Sequence, residues 1–206
     1  GGPSSLDLVG VDPNDKMKAF ATDNLAKARV AGSELDASLR IVHGVAEALP
    51  LPSKSADAVI CTLTLCSVLD PERAVAEIKR VLKPGAPFMF IEHVLSEDDP
   101  NLAQLQLRFN SMQIAMADGC HLDRKTLDVI KSAGFGSVEA ERFSLPGFGL
   151  ISSQVAGIAL NLAHAWLDAF LPHVLSKIDR VNYGLLSAEQ TRKDMPTSRK
   201  LLAVPF

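Results

Sequence analysis

DAVICTLTLCSVLDPERAVAEIKRVLKPGAPFMFIEHV, residues 57–94, reads as a strand, a helix and a second strand, with a polar-punctuated loop closing the first strand. Asp57 to Cys61 is mostly apolar with little alternation, as a parallel strand covered on both faces should be, and Phe88 to Ile91 is a second such run. Between them the helix signals agree. Asp70 can cap the first turn, Pro71 suits the first helical position, where no amide hydrogen is needed, and Ala74/Val75, Ile78 and Val81/Leu82 fall on one face. Glu72 near the start and Lys79, Arg80 and Lys83 near the end complement the helix dipole, and Lys83-Pro84-Gly85 stops the helix.

Outward from this unit the same alternation continues. Leu6 to Val11 is a short buried strand ending at Asp12-Pro13-Asn14, and Met17, Ala21, Leu25 and Ala28 then trace a helical stripe. Leu39 to His43 is the next strand, bounded by Gly44 and a loop, Ala46 to Pro52. Beyond Glu92-His93 an acidic loop reaches Pro100, after which Leu102, Leu105, Phe109, Met112 and Met116 predict a helix with one apolar face. Leu122, Leu127, Ile130 and Ala133 mark a shorter helix closed by Gly134. Val138 to Phe143 and Gln154 to Leu160 supply two last strands, the second also compatible with a helix through Ile151, Val155, Ile158 and Leu162. Alternating strand and helix predict a parallel α/β sheet with helices on both faces and a ligand crevice at the carboxyl ends of the strands. Asp12, Val45 to Glu47, Cys61 to Leu65 and Glu92-His93 all fall at that edge.

The 206 residues are 47% hydrophobic and carry a formal charge of −3, enough for one ordinary core and no electrostatic footprint for nucleic acid. Cys61, Cys66 and Cys120 are too few and too unevenly spaced for a disulfide framework, which predicts a reducing, intracellular and cytoplasmic setting. Phe143 to Leu167 lacks charge, but Pro146, Gly147, Gly149, Asn161 and His164 interrupt it. It reads as a poor membrane span, a turn and a buried strand account for the lack of charge equally well, and peripheral membrane contact stays open. The domain is expected over residues 1–161, with 162–206 as a helical extension (Leu171, Val174, Leu175, Ile178, Val181) and a basic, Pro-containing tail.

The run Arg80-Val81-Leu82-Lys83-Pro84-Gly85-Ala86 resembles the turn that precedes the fifth strand in class I S-adenosylmethionine-dependent methyltransferases of the type 11 group. Within it, Cys61 to Val68, Glu92-His93-Val94 and Asp118-Gly119-Cys120 look most like the methyltransferase-like thiol methyltransferases. The resemblance covers roughly residues 8–160. It implies a Rossmann-like methyltransferase sheet, S-adenosylmethionine as cofactor and a small apolar acceptor, a thiol ahead of a quinone or lipid ring. A non-catalytic remnant is the rival reading. The family's first strand and glycine-rich loop should precede Leu6 and are missing from this stretch, so the resemblance implies an N-terminally incomplete chain. Two central strand edges would then face each other unpaired.

Residue by residue, the resemblance places Asp12 on the cofactor ribose, against a local reading as a helix cap before Pro13. It places Ala46 and Glu47 at the adenine, where Val45 replaces a common aspartate, and Cys61 and Thr62 at the methionine end. Asp118 and His121 are the candidate catalytic bases for a thiol, and His93 and Cys120 the substrate-side candidates. Cys66 reads as a small buried hydrophobe. Cysteine and histidine suit zinc, but Cys61, Cys66, His93, Cys120, His121 and His43 lack paired ligand spacing apart from the adjacent Cys120-His121, so no metal site is expected.

Overall fold

The computed structural model describes residues 5–30, 37–161 and 198–204. Its strands are β1 (Ser5–Asp12), β2 (Ala37–His43), β3 (Ala58–Thr62), β4 (Pro87–His93), β5 (Ser137–Ser144), β6 (Ser153–Leu160) and β7 (Ser198–Val204); its α-helices are α1 (Met17–Val30), α2 (Pro71–Val81), α3 (Pro100–Met116) and α4 (Thr126–Ser132). They form one sheet in the order β2-β1-β7-β3-β4-β6-β5. The first five strands of that order run parallel, and β6 lies antiparallel between β4 and β5.

The expected gap in the sheet is closed from an unexpected direction. β7 lies parallel between β1 and β3, with Leu202 in register with both Val9 and Val59. Ser198–Val204 therefore belongs to the sheet and not to a tail outside it. The facing edges of β1 and β3 are not open. The amphipathic pieces between Leu171 and Val181, and the rest of residues 162–197, lie outside the described residues.

The strand–helix–strand unit forms as its residues dictate. The Asp70 side chain accepts the Arg73 amide at 2.9 Å, and Pro71 opens α2. Ala74, Val75, Ile78 and Val81 are buried against a core that includes Val59, Phe88 and Phe90. Each large side chain buried this way contributes about 1.5–3 kcal/mol. Gly85, at φ +81°, takes the left-handed turn after α2 that a side chain would strain. Asn161 fixes that turn through the carbonyls of Leu82 (3.1 Å) and Lys83 (3.3 Å). Arg80 reaches back to the Leu49 and Leu51 carbonyls while pairing with Glu77, and this guanidinium holds the Glu77 carboxyl below its usual range.

The ambiguous final stretch is a strand, since β6 pairs along its length with both β4 and β5. A helix there would leave β5 with no neighbour. Among the described residues no helix is long and apolar enough to cross a membrane. Helix α3 departs from its expected burial: Leu105, Met112 and Met116 are exposed, and its one buried residue is Gln106. That amide is bonded on both sides, accepting from the Ser96 amide at 2.8 Å and donating to the carbonyls of Val94 (3.0 Å) and Leu150 (2.9 Å). This polar pin is the helix's one fully buried anchor, with Leu102 and Phe109 of the expected stripe half-buried beside it.

Candidate active site

The carboxyl ends of β1, β3 and β4 converge where the topology places the crevice. Asp12 closes β1 and is 1% exposed. Its Oδ1 accepts the Asn14 amide at 2.7 Å, a local turn, while Oδ2 is buried without a partner. Helix α1 begins only at Met17, so Asp12 is not its cap. A buried carboxylate oxygen with nothing to accept from is costly unless a ligand donates to it.

After β2, Val45 and Ala48 pair across a tight turn that buries Ala46 and leaves Val45 exposed. Glu47 is half-buried and engaged. Its Oε1 accepts the amides of Leu69 (2.6 Å) and Asp70 (3.2 Å), tying this turn to the loop that enters α2.

The loop after β3 is built around a residue that the sequence reading gave no role. Glu92, fully buried near the end of β4, accepts through Oε1 from the amides of Thr64 (3.1 Å) and Leu65 (3.2 Å) and from the Cys61 thiol (3.3 Å). Its Oε2 has no partner. Burial raises the Glu92 carboxyl above its usual range, with the two amides opposing. The same burial, with the Glu92 charge beside it, pushes the Cys61 thiol up and keeps it a thiol. Leu63, between Thr62 and Thr64, sits at φ +52°, a left-handed conformation that strains a branched side chain and turns the loop sharply off the strand.

A third loop, between α3 and α4, is strapped onto this one. The Arg124 guanidinium donates to the carbonyls of Leu65 and Val68, and the His121 amide donates to the Cys66 carbonyl at 2.8 Å. This brings Cys120 beside β4: His93 Nε2 lies 3.0 Å from its sulfur, and Gln113 Nε2 lies 3.6 Å from it. The Cys66 thiol lies beside them and also donates to the Leu63 carbonyl at 3.3 Å. All three residues are buried. Hydrogen bonds from Cys66, His93 and Gln113 pull the Cys120 thiol down, whereas the contact with Cys120 and burial push its neighbour Cys66 up.

The two expected bases sit apart from this buried group in character. Asp118 is exposed on a left-handed turn, φ +44°, after α3. His121 is about one-third exposed, with Nδ1 3.4 Å from Asp123 Oδ1. Burial thus separates Cys120 from its sequence neighbours Asp118 and His121 and groups it with the distant His93.

Comparison with known proteins gives this geometry a context. The family described as "Methyltransferase domain" matches residues 3–90. A thiol S-methyltransferase, TMT1B, from Rattus norvegicus is 34% identical over 68% of this chain and 55% of its own length. The Homo sapiens thiol S-methyltransferase TMT1A is 30% identical over 77% of this chain and 64% of its own. The chain thus spans only a little over half the length of such relatives. Among solved structures, an S-adenosylmethionine-dependent methyltransferase from Methanosarcina mazei superposes with a TM-score of 0.56 at 18% identity, over 76% of this chain and 91% of that one. That likeness is one of fold, and it matches the Rossmann-like sheet described above.

Proposed function

We propose, on the premise that this chain belongs to the class I S-adenosylmethionine-dependent methyltransferases, that the whole protein methylates a small apolar acceptor and that the acceptor is a thiol. The observation that carries the reading is Asp12 Oδ2, buried and unpartnered at the carboxyl end of β1. A pair of ribose hydroxyls is the chemistry that such an oxygen suits. Bound cofactor supplies a methyl group activated by a sulfonium.

The residues present fit that group. Asp12 would accept from the ribose, the backbone of the turn at Ala46 and Glu47 would face the adenine, and Cys61 and Thr62 would stand at the methionine end. Because the Cys61 thiol and the Glu47 carboxylate are already engaged, both positions contribute backbone and shape more than side-chain chemistry. Methyl transfer is an in-line displacement, so the protein's main task is to align the acceptor sulfur and exclude water. On the acceptor side, Asp118 and His121 offer a carboxylate and an imidazole. With Nδ1 turned to Asp123, His121 keeps Nε2 to take the proton of an acceptor thiol. The thiol assignment is supported by the names of the relatives at 30–34% identity.

Calorimetric titration with S-adenosylmethionine, beside thermal unfolding, tests the Asp12 role. Asp12→Ala should weaken binding by roughly 1–3 kcal/mol and change stability less. Intact affinity with about 1 kcal/mol of lost stability would mean that Asp12 only holds its turn. Labelled cofactor offered with panels of thiols and quinols tests the acceptor, and methylation of quinols but of no thiol would overturn it.

A further inference from the structure

Cys66, His93 and Cys120 come from three places in the chain: the loop after β3, the last residue of β4 and the loop between α3 and α4. Their two sulfurs and one imidazole nitrogen all lie within 4.8 Å of one another. All three residues are buried, at 1%, 2% and 9% exposure. Two thiols and an imidazole are the donor set that borderline-soft metal ions select, and the cluster contains no carboxylate that would favour calcium or magnesium.

We propose that Cys66 Sγ, Cys120 Sγ and His93 Nε2 bind a zinc(II) ion, with a non-protein ligand completing a tetrahedron. Zinc bonds sulfur at about 2.3 Å and imidazole nitrogen at about 2.0–2.1 Å, which sets ligand atoms of one tetrahedron roughly 3.5 Å apart. The His93–Cys120 separation of 3.0 Å is slightly below that, so a small outward shift of the imidazole admits the ion. Each thiol that enters the coordination shell gives up its proton to solvent, and no electron is transferred. Nearby groups already suit such an ion. The amide of Gln113 reaches the Cys120 sulfur, and the chain around Cys66 is fixed by the His121 amide and the Arg124 guanidinium. The ion would tie together the three segments that form one rim of the crevice. The proposal does not depend on methyl transfer.

The full chain, reduced with a phosphine and stripped with a chelator, is titrated with cobalt(II) as a spectroscopic probe and then with zinc(II) against a chromophoric chelator. Expected are one equivalent of metal, a thiolate-to-cobalt charge-transfer band, and displacement of cobalt by zinc. Cys66→Ser and Cys120→Ser should each weaken binding by at least about 10-fold, the lower end of what loss of even an outer-sphere partner costs, and Cys61→Ser should retain it. Should a serine variant fail to fold, X-ray absorption on zinc-loaded wild type decides the matter, since the site requires two sulfur ligands at about 2.3 Å. A wild-type protein with no thiolate band, or a zinc shell without sulfur, would overturn the proposal. So would undiminished binding in the Cys66→Ser/Cys120→Ser double variant.

Discussion

Leu202→Pro is the sharpest perturbation of this fold, because Leu202 lies at the middle of the sheet with Val9 on one side and Val59 on the other. In a parallel ladder each residue directs its amide to one neighbouring strand, so proline removes one ladder hydrogen bond and leaves one carbonyl of β1 or β3 without a donor. The lost bond costs about 0.5–1.5 kcal/mol and the orphaned carbonyl about 1–3 kcal/mol. Val9 and Val59 are 1% and 0% exposed, so water cannot readily substitute at this depth. A total of roughly 2–4 kcal/mol translates to a melting point lower by about 4–16 °C for a domain of this size. Scanning calorimetry would measure it, and amide exchange at Val9 and Val59 would localise it. Leu202→Val, which keeps the amide and a strand-favouring side chain, should melt close to wild type. If the proline variant melted within about 1 °C of wild type and protection at Val9 and Val59 were unchanged, β7 could not be the strand between them.

Glu92→Gln should reverse in effect with pH. Burial raises the folded-state pKa of Glu92, so its protonated form is the one the fold prefers; that stabilisation is complete below the ordinary value of 4.5 and fades as pH rises through the folded value. Chemical denaturation of both proteins at several pH values should therefore show the glutamine variant gaining on wild type as the pH rises above 4.5, and a constant difference would contradict the assigned cause. Gln106→Leu should cost roughly 2–4 kcal/mol despite adding an apolar residue to a helix, because the Ser96 amide and the Val94 and Leu150 carbonyls lose their partner. Urea midpoints would read it, and a neutral result would mean that the exposed face of α3 contributes more than its burial indicates.

Most of the sheet was legible because its signals were redundant. At α2 a cap, a proline, an apolar stripe and a terminal glycine agreed, and the structure places each as the pattern requires. β7 was not legible, since Leu201 to Val204 is too short an apolar run to separate strand from helix, and partnership with β1 and β3 is a long-range property. α3 misled for a related reason: Leu105, Met112 and Met116 repeat at helical spacing, but periodicity reports a face and not what covers it. The position of Asp12 at the carboxyl end of a strand was readable. The Cys66, His93 and Cys120 group was hidden because each residue sits on a different segment and no two share a ligand-like spacing. Glu92 left only one trace, a carboxylate in an otherwise apolar strand, and that is the kind of mismatch worth following to a buried role.

The position of β7 also has a consequence for how the polypeptide is made. The strand that joins β3 to β1 leaves the ribosome about 135 residues after β3 and about 185 after β1, so at ~5–20 residues per second the two edges wait together for roughly 7–27 s. Throughout it, two strands destined for the centre of the sheet present bare edges to whatever nascent or neighbouring chain can pair with them. Synthesis speed and chaperone occupancy during that interval should govern the yield of soluble protein, so slowing elongation between β3 and β7 would lengthen the vulnerable period and lower recovery.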